Sequence, residues 1–315
     1  MRVSDLGRWT HPATILVATD LSDLDHLMPF ALEQAGETGA RLILLHALSS
    51  SVVFSADAAG MPYYDKGSAL ETAHEMLRPW CEVAAGHGIR CEALVREGHP
   101  TQQIAAAARQ FQSDRVLLGT RSRSKIGKLL LGSVAEQVLR SVYLPVMTVG
   151  PEAHLPVARG EERVVLHATS LRETSRPSAA LACQMAAGMN AKLVLLNVLP
   201  PEDEMLHSGL PTGVNSAAMR ELRILAEETA AGCCLDIEPV VVHGNPSIEI
   251  LAEASERKAS LIVLGATHRS AFENLTRDRT VYRVLAHARC PVLTLHEPLA
   301  SLDEATAESV GASRI

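Results

Sequence analysis

The segment Ile15-Leu-Val-Ala-Thr-Asp20 recurs later in the chain as Val165-Leu-His-Ala-Thr-Ser170. Four further segment pairs follow in the same order, each separated by an offset of about 150 residues. They are Leu42–Ala47 with Leu193–Val198, Gly98–Pro100 with Gly244–Pro246, Asp114–Gly119 with Ser260–Gly265, and Leu144–Val146 with Cys290–Val292. A nearly constant offset indicates that one unit has been duplicated. We therefore expect two domains, residues 1–150 and residues 151–315, joined in the Gly- and Pro-containing segment 150–161.

Short apolar strands alternate with helical patterns in both halves. The first half opens with a strand at Thr14–Ala18, and a helix follows in which Leu24, Leu27, Met28 and Ala31 share one face. Strands that are apolar on both faces and separated by helices are typical of a parallel sheet covered on both sides. The sequence therefore predicts the α/β class, with a doubly wound, Rossmann-like sheet of five parallel strands in each half.

The composition narrows the classes of function. Of 315 residues, 47% are hydrophobic and 21% are charged, so each half can bury a core. The net charge of −7 argues against nucleic acid and anionic membranes as partners, because both favour basic surfaces. No apolar run approaches the ~18–20 residues that span a bilayer, and Met1–Pro12 contains no secretory apolar segment. The six cysteines form no CxxC pair and no metal spacing, so we expect reduced thiols in a cytoplasmic protein.

A basic, glycine-containing loop follows the fourth strand of the first half. Between Gly119 and Gly132-Ser133 the sequence holds no acid and four cations, which are Arg121, Arg123, Lys125 and Lys128. In an open α/β sheet the loops at the carboxyl ends of the strands form the ligand site, and a helix N-terminus with nearby cations suits a phosphate group. A purely structural interpretation stays open, because Ser133 and Glu136 match a capping box that stabilises a helix without any ligand.

The spacing of this loop resembles the nucleotide-binding motif of universal stress proteins, which is Gly, two residues, Gly, nine residues and Gly-Ser. Gly119 and Leu129–Glu136 are similar to that motif, Ile15–Ser22 is similar to the start of the family's sequences, and Leu44–His46 is similar to its second strand. The resemblance covers both halves and is stronger in the first. It implies a tandem universal stress protein, a family whose members share an adenine-nucleotide-binding α/β fold and usually pair through the last strand.

The resemblance implies a role for each position of the site. Asp20 would bind the ribose hydroxyls, and a cap of the following helix is the alternative interpretation of this carboxylate. The other implied positions are Ala18 and Thr19 beside Asp20, Ala47 at the adenine, Leu118 and Gly119 over the base and ribose, and Arg121, Ser122, Gly132, Ser133 and Val134 around the phosphates. Ser122 departs from the family by occupying the position of the middle glycine, where its side chain narrows the approach of the phosphates.

The second half departs further from the motif. The replacements are Ser170 for Asp20, His268 for Ser122, and Asp278-Arg279 for Gly132-Ser133. Asp278 would repel a phosphate, so we expect this half not to bind ATP. We expect it instead to pair with the first half as an intramolecular pseudo-dimer through Val146–Val149 and Val292–Leu295, and the same reasoning allows a homodimer.

These inferences lead to a hypothesis about function. We expect a regulatory stress-response protein that binds one adenine nucleotide, ATP or a related one with or without Mg²⁺, in its first half. The sequence supplies no evident general base or metal-ligating cluster, so any ATP hydrolysis should be slow, and we assign neither catalytic nor metal-binding residues. The alternative hypothesis is a nucleotide-free interaction module in which both pockets are vestigial.

Overall fold

The computed structural model describes residues 3–48, 55–56, 62–63, 66–120, 131–155, 162–201, 213–230, 235–267 and 279–297. The described elements of the first half are α1 (Val3–Thr10), β1 (Thr14–Thr19), α2 (Leu24–Thr38), β2 (Arg41–Leu48), β3 (Ser55–Ala56), β4 (Pro62–Tyr63), α3 (Lys66–Gly86), β5 (Cys91–Glu97), α4 (Pro100–Gln110), β6 (Arg115–Gly119), α5 (Ser133–Ser141) and β7 (Val146–Val149). Those of the second half are β8 (Arg163–Ala168), a 3-10 turn (Glu173–Ser175), α6 (Arg176–Gly188), β9 (Ala191–Leu199), α7 (Val214–Ala230), β10 (Ile237–His243), α8 (Pro246–Glu256), β11 (Leu261–Thr267), α9 (Arg279–His287) and β12 (Val292–Glu297).

Ten of these strands form one continuous sheet. Their order is β10-β9-β8-β11-β12-β7-β6-β1-β2-β5, so the two halves show the same strand order on either side of a central junction. Within each half the neighbouring strands are parallel. The predicted α/β class with a doubly wound five-stranded parallel sheet, present twice, is confirmed. The sequence did not predict the short antiparallel pair of β3 and β4.

Helices cover both faces of the sheet, which explains the continuous apolar strands. All six residues of β1 are buried. Ile15 and Val17 belong to the apolar cluster that contains Leu27 of α2, whereas Leu16 belongs to the cluster that contains Ile104 of α4. Alternate side chains of a strand point to opposite faces, so each face of β1 has its own helical cover.

The two halves join through their last strands. β7 and β12 pair antiparallel, and the facing residues are Val292 with Thr148, Leu293 with Met147, and Thr294 with Val146. The Thr148 hydroxyl also donates a hydrogen bond to the Val292 carbonyl at 3.3 Å. The expected pseudo-dimer is therefore confirmed, at the strands that the sequence singled out.

A fully buried arginine holds helix α1 at this junction. Arg115, the first residue of β6, donates to Oε1 of Gln34 on α2 and to the carbonyl of Trp9 at 2.5 Å. Its Nη2 also lies 3.5 Å from Sδ of Met185 on α6 of the second half. Burial lowers the pKa of Arg115 to about 10, against the opposing effect of the neighbouring Asp114 charge. Helix α1 therefore packs across the repeat, and the sequence did not predict this helix.

A buried histidine lies in the central strand of the second half. His167 has no exposed surface and occupies the position of Val17 in the repeat. Its Nδ1 donates to the Val263 carbonyl at 3.0 Å, while Nε2 has no hydrogen-bond partner. Burial lowers the pKa of His167 to about 4, so this ring stays neutral in the folded protein where the unfolded chain would already bind a proton.

This histidine should make the fold sensitive to mild acid. Because the folded pKa lies below the unfolded value, stability is lost as the pH falls from the unfolded pKa towards the folded one. Between pH 7 and pH 5 the free energy of unfolding should fall by about 2 kcal/mol less in the His167→Val variant than in the wild type. Urea unfolding at both pH values measures it, with His87→Val, at an exposed histidine, as the control. An equal fall in the free energy of unfolding with pH in the wild type and in His167→Val would show that His167 does not cause the acid sensitivity.

Candidate functional site

Three parallel strands of the first half bring the predicted site residues to one edge of the sheet. Ala18 on β1 pairs with Leu45 on β2 and with Leu118 on β6. These three side chains are buried and form the floor below the carboxyl ends of the strands. Asp20, which follows the end of β1, and Gly119, the last residue of β6, therefore lie at the same edge of the sheet. Carboxyl edges of this type form the ligand sites of open α/β sheets.

A tight turn after β1 holds the Asp20 carboxylate. Oδ1 of Asp20 accepts hydrogen bonds from the N–H and the hydroxyl of Ser22, at 2.9 and 2.6 Å. The Leu21 N–H donates to Oγ1 of Thr19 at 2.9 Å, and Leu21 adopts a φ of 72°. That φ is uncommon for a residue with a side chain, so both hydrogen bonds help to stabilise the turn. The interpretation of Asp20 as a helix cap is wrong, because the N-cap position of α2 is Asp23.

Asp23 itself is a buried acid that the sequence analysis missed. It is 9% exposed, and its Oδ1 accepts a hydrogen bond of 2.6 Å from the Thr19 hydroxyl. Burial raises the pKa of Asp23, and the charge of Asp20 adds to that effect, while the Thr19 hydrogen bond opposes it. A Cβ atom at Gly119 would lie only 2.5 Å from Oδ2 of Asp23. A side chain at position 119 would therefore displace this carboxylate, and only the four-residue spacing from Thr19 could have pointed to Asp23.

The helix that follows the basic loop is tethered to the same edge. The Thr120 N–H donates to the Val149 carbonyl, and the Thr120 carbonyl accepts from the Gly132 N–H, both at 3.1 Å. Gly132 is the N-cap of α5, is buried and has no side chain to cap the helix. Since the first N–H groups of a helix have no intrahelical acceptor, those of Ser133 and Val134 are available at this edge.

The capping-box interpretation of this helix start is wrong. Ser133 is the first residue inside α5, where it is exposed, and not the residue before the helix. The Glu136 carboxylate instead pairs with Arg140, one turn further along the helix. The local sequence matched the motif, but the tertiary hydrogen bond between Thr120 and Gly132 determines which residue precedes the helix.

The remaining predicted positions are distributed as follows. Ala47 lies near the end of β2, half-buried and paired with Arg96 of β5. Arg121 and Ser122 lie outside the described residues, as does the rest of the basic loop to residue 130. Thr120 is a further residue at this edge that the sequence did not predict. Its side chain is 2% exposed, and its hydroxyl has no hydrogen-bond partner.

The second half repeats the framework of this edge. The Leu171 N–H donates to Oγ1 of Thr169 at 3.1 Å, and Leu171 has a φ of 59°. Asn197 donates from Nδ2 to the Thr169 carbonyl at 2.9 Å, in the same place where Nδ1 of His46 donates to the Thr19 carbonyl at 3.0 Å. The duplicated strand ends and the turn after the first strand are therefore built in the same way.

The negative charge of Asp20 has no counterpart at the equivalent position of the second half. Ser170 occupies the position of Asp20, and its hydroxyl lies 3.1 Å from the hydroxyl of Ser175. This edge of the second half thus has a neutral group where the first half has a carboxylate. His268 and Asp278, the other replacements expected to block a phosphate, lie outside the described residues.

Strand length also differs between the two edges. In the first half, the pairing of β6 with β7 ends at Gly119 and Val149. In the second half, the equivalent pair is Gly265 with Leu295, and the ladder continues for two more residues, to Thr267. Strand β11 therefore continues past the position that corresponds to Gly119. In the first half the strand ends at that position.

Comparison with known proteins gives consistent matches. The model of the universal stress protein family matches residues 13–150 and again 162–296. A universal stress protein of Mycolicibacterium smegmatis is 26% identical over 302 residues, which cover 89% of this chain and 96% of the relative. The crystal structure of a universal stress protein from Archaeoglobus fulgidus is similar with a TM-score of 0.67 and 22% identity, covering 90% of this chain and 96% of that one. A universal stress protein crystallised with cAMP matches 43% of this chain and 97% of its own, with 24% identity and a TM-score of 0.36.

The contact between Gly119 and Asp23 can be tested by a double-mutant cycle. Gly119→Ala should lower the free energy of unfolding by about 1–3 kcal/mol, because the new methyl group overpacks the buried carboxylate. In an Asp23→Ala background the same substitution should cost much less, since neighbouring residues couple. Gly36→Ala is the matched control, because a Cβ there meets no atom within 4 Å and lies in helix α2. An equal cost of Gly119→Ala in both backgrounds, measured by urea unfolding, would disprove the contact.

Proposed function

The chain belongs to the universal stress protein family, and on that premise we propose that its first half binds an adenine nucleotide, ATP or a related one, as a regulatory ligand. The observation that carries this proposal is the hydrogen bond from the Gly132 N–H to the Thr120 carbonyl at 3.1 Å. It holds the N-terminus of α5 beside the carboxyl ends of β1 and β6, where the Asp20 carboxylate also emerges. Acceptor groups for a ribose and donor groups for phosphates thus come from one edge.

The phosphates would bind at the start of α5. The N–H groups at a helix N-terminus and the helix dipole both favour an anion. Gly132 leaves room for close approach, and the exposed Ser133 hydroxyl and the Val134 N–H would add donors. Arg121 and Ser122 lie between Gly119 and Gly132 in the sequence, so we propose them as further phosphate ligands.

The nucleoside would bind above the floor of β1, β2 and β6. A carboxylate can accept several hydrogen bonds, so Asp20 can bind ribose hydroxyls in addition to its two hydrogen bonds from Ser22. Ala18 and Thr19 would lie beside the ribose, Ala47 beside the adenine, and Leu118 with Gly119 below both.

The same criteria argue against a nucleotide in the second half. Ser170 brings no carboxylate, and the pairing of β11 with β12 occupies the level of the loop. The second half would then act through its pairing with the first. We therefore propose one nucleotide for each chain and two domains, residues 1–150 and 151–315, of which only the first binds it.

A regulatory ligand fits better than a fast catalytic cycle. Among the described residues, no group of three His, Cys, Asp or Glu side chains could hold a metal ion, so Mg²⁺ would arrive with the phosphates.

Of the helices that the structure describes, none is long and apolar enough to cross a membrane. A cytoplasmic location, in keeping with six cysteines that form no CxxC pair, and the absence of a nucleic-acid partner, in keeping with the net charge of −7, are part of this proposal.

Calorimetric titration of the full chain tests the proposal. ATP should bind at one site with a Kd well below ~1 mM, and AMP should bind more weakly because it lacks two of the phosphates. Gly132→Asp should weaken ATP binding at least about tenfold through like-charge repulsion. Aspartate is a good N-cap residue, so α5 should remain folded, which circular dichroism verifies.

The control is Asp278→Gly, the reverse exchange in the second half, which should leave ATP affinity unchanged. Absence of saturable binding below ~1 mM would instead favour the nucleotide-free interaction module, in agreement with the serine at position 122. Unchanged affinity in Gly132→Asp would eliminate the start of α5 as the phosphate site.

A further inference from the structure

A cavity lies at the edge of the sheet opposite the proposed nucleotide site, at the amino ends of β1, β6 and β7. Its volume is about 550 Å³, within the range of small-molecule sites. Its walls come from the end of α1, the end of α4 with the turn into β6, and the turn between α5 and β7. The proposed nucleotide site uses the carboxyl ends of the same strands, so the two sites share no residue and a ligand can bind in this cavity whether or not ATP binds.

The cavity has an apolar wall and two aromatic rings. Ala105, Ala108 and Val142 provide the apolar surface. Trp9 is partly buried at one side, and Tyr143 is 72% exposed at the other. An exposed phenol ring next to an apolar cavity is a favourable contact surface for a planar apolar group.

Of the two arginines that line this cavity, one forms an ion pair and the other, among the described residues, does not. Arg8 is bound to Oδ1 of Asp114 at 2.6 Å, and Oδ2 of Asp114 accepts the N–H groups of Ala13 and Thr14 at 2.9 and 3.2 Å. That ion pair is therefore part of the fold. Arg109 is exposed, and among the described residues its side chain forms no ion pair and no hydrogen bond.

The surroundings of Arg109 favour a ligand with a single negative charge. A guanidinium binds one carboxylate through two parallel hydrogen bonds. Helices α4 and α5 both end at the cavity, at Gln110 and Ser141. The C-terminus of a helix carries partial negative charge, and the Asp114 carboxylate adds to it, so a phosphate with two charges would be disfavoured.

The second half does not reproduce this combination. The residues at the corresponding positions are Leu251 for Ala105, Ser255 for Arg109 and Arg289 for Tyr143. A larger aliphatic side chain thus replaces the alanine of the wall, and the cation and the ring are each exchanged for a residue of another class. The cavity chemistry belongs to the first half and does not follow from the repeated framework.

We propose that this cavity binds a small aromatic monocarboxylate, with its ring against Trp9 and Tyr143 and its carboxylate on Arg109. The sequence contains only two tryptophans, Trp9 and Trp80. A Trp80→Phe protein therefore leaves Trp9, in the cavity wall, as the single fluorescent reporter. The probe is 3-phenylpropionate, and its neutral analogue 3-phenylpropan-1-ol measures the contribution of the charge.

The expected result is a saturable change of Trp9 fluorescence with 3-phenylpropionate, and binding of the alcohol at least about tenfold weaker. Arg109→Ser, which introduces the residue of the second half, should reduce the carboxylate affinity to that of the alcohol. Ala105→Leu, which introduces the leucine of position 251, should abolish the response to both probes. Leu251→Ala is the matched control and should change neither affinity.

Three outcomes would overturn the proposal. They are no saturable change up to ~10 mM probe, equal affinities of the acid and the alcohol, and displacement of the probe by ATP, which would assign it to the other edge. If Ala105→Leu loses its circular dichroism spectrum, the exposed Arg109→Ser variant decides the test. Because ATP binding is measured separately, failure of this proposal is distinguishable from failure of the proposed function.

Discussion

The antiparallel pairing of β7 with β12 is the contact on which the rest of this architecture depends. It converts two five-stranded sheets into one sheet of ten strands and makes the two halves run in opposite directions. The carboxyl edge of each half consequently lies beside the amino edge of the other. Tyr143, before β7, approaches His296 at the end of β12, with ring centroids 5.9 Å apart. On the other side of the seam, a Cβ at Gly150 would lie 3.2 Å from the Leu285 carbonyl.

This arrangement explains how one half can lose a ligand site and still be needed. An exposed edge strand presents unpaired backbone groups that invite aggregation, and β12 covers that edge of β7. Ion pairs also connect the two halves. Arg163 on β8 pairs with Glu33 and Glu37 of α2. Arg115 is fully buried, and a buried charge must be hydrogen-bonded. Helix α1 supplies one of its acceptors, the Trp9 carbonyl. The second half therefore supports the first through packing, whatever its own edge binds.

The sequence predicted those parts of the fold that depend on local pattern. Continuous apolar strands between amphipathic helices specify the sheet, so the bounds of β7, Val146–Val149, agree with the expectation. Helix α1 could not be predicted in the same way, because the surface that covers it belongs to α6, far away in sequence. The capping-box interpretation of Ser133 placed the start of α5 one residue too late, because Gly132, which is hydrogen-bonded to Thr120, precedes the helix.

The candidate site was predictable to a similar degree. The resemblance to universal stress proteins predicted Asp20, Gly119 and Gly132 as site residues, and the fold brings these three positions to one edge. Asp23 was not predictable, because its burial and raised pKa arise only when β6 lies over the turn after β1. The cavity at Trp9 was also out of reach, since its walls come from three segments that no local pattern connects.

A crystal structure of the full chain grown with ATP would show which edge of the ten-stranded sheet holds the nucleotide. We expect one nucleotide for each chain, with its phosphates at the first turn of α5 and its ribose at Asp20, and no nucleotide at the equivalent edge of the second half. A nucleotide bound at the second half alone, or equally at both edges, would contradict the account.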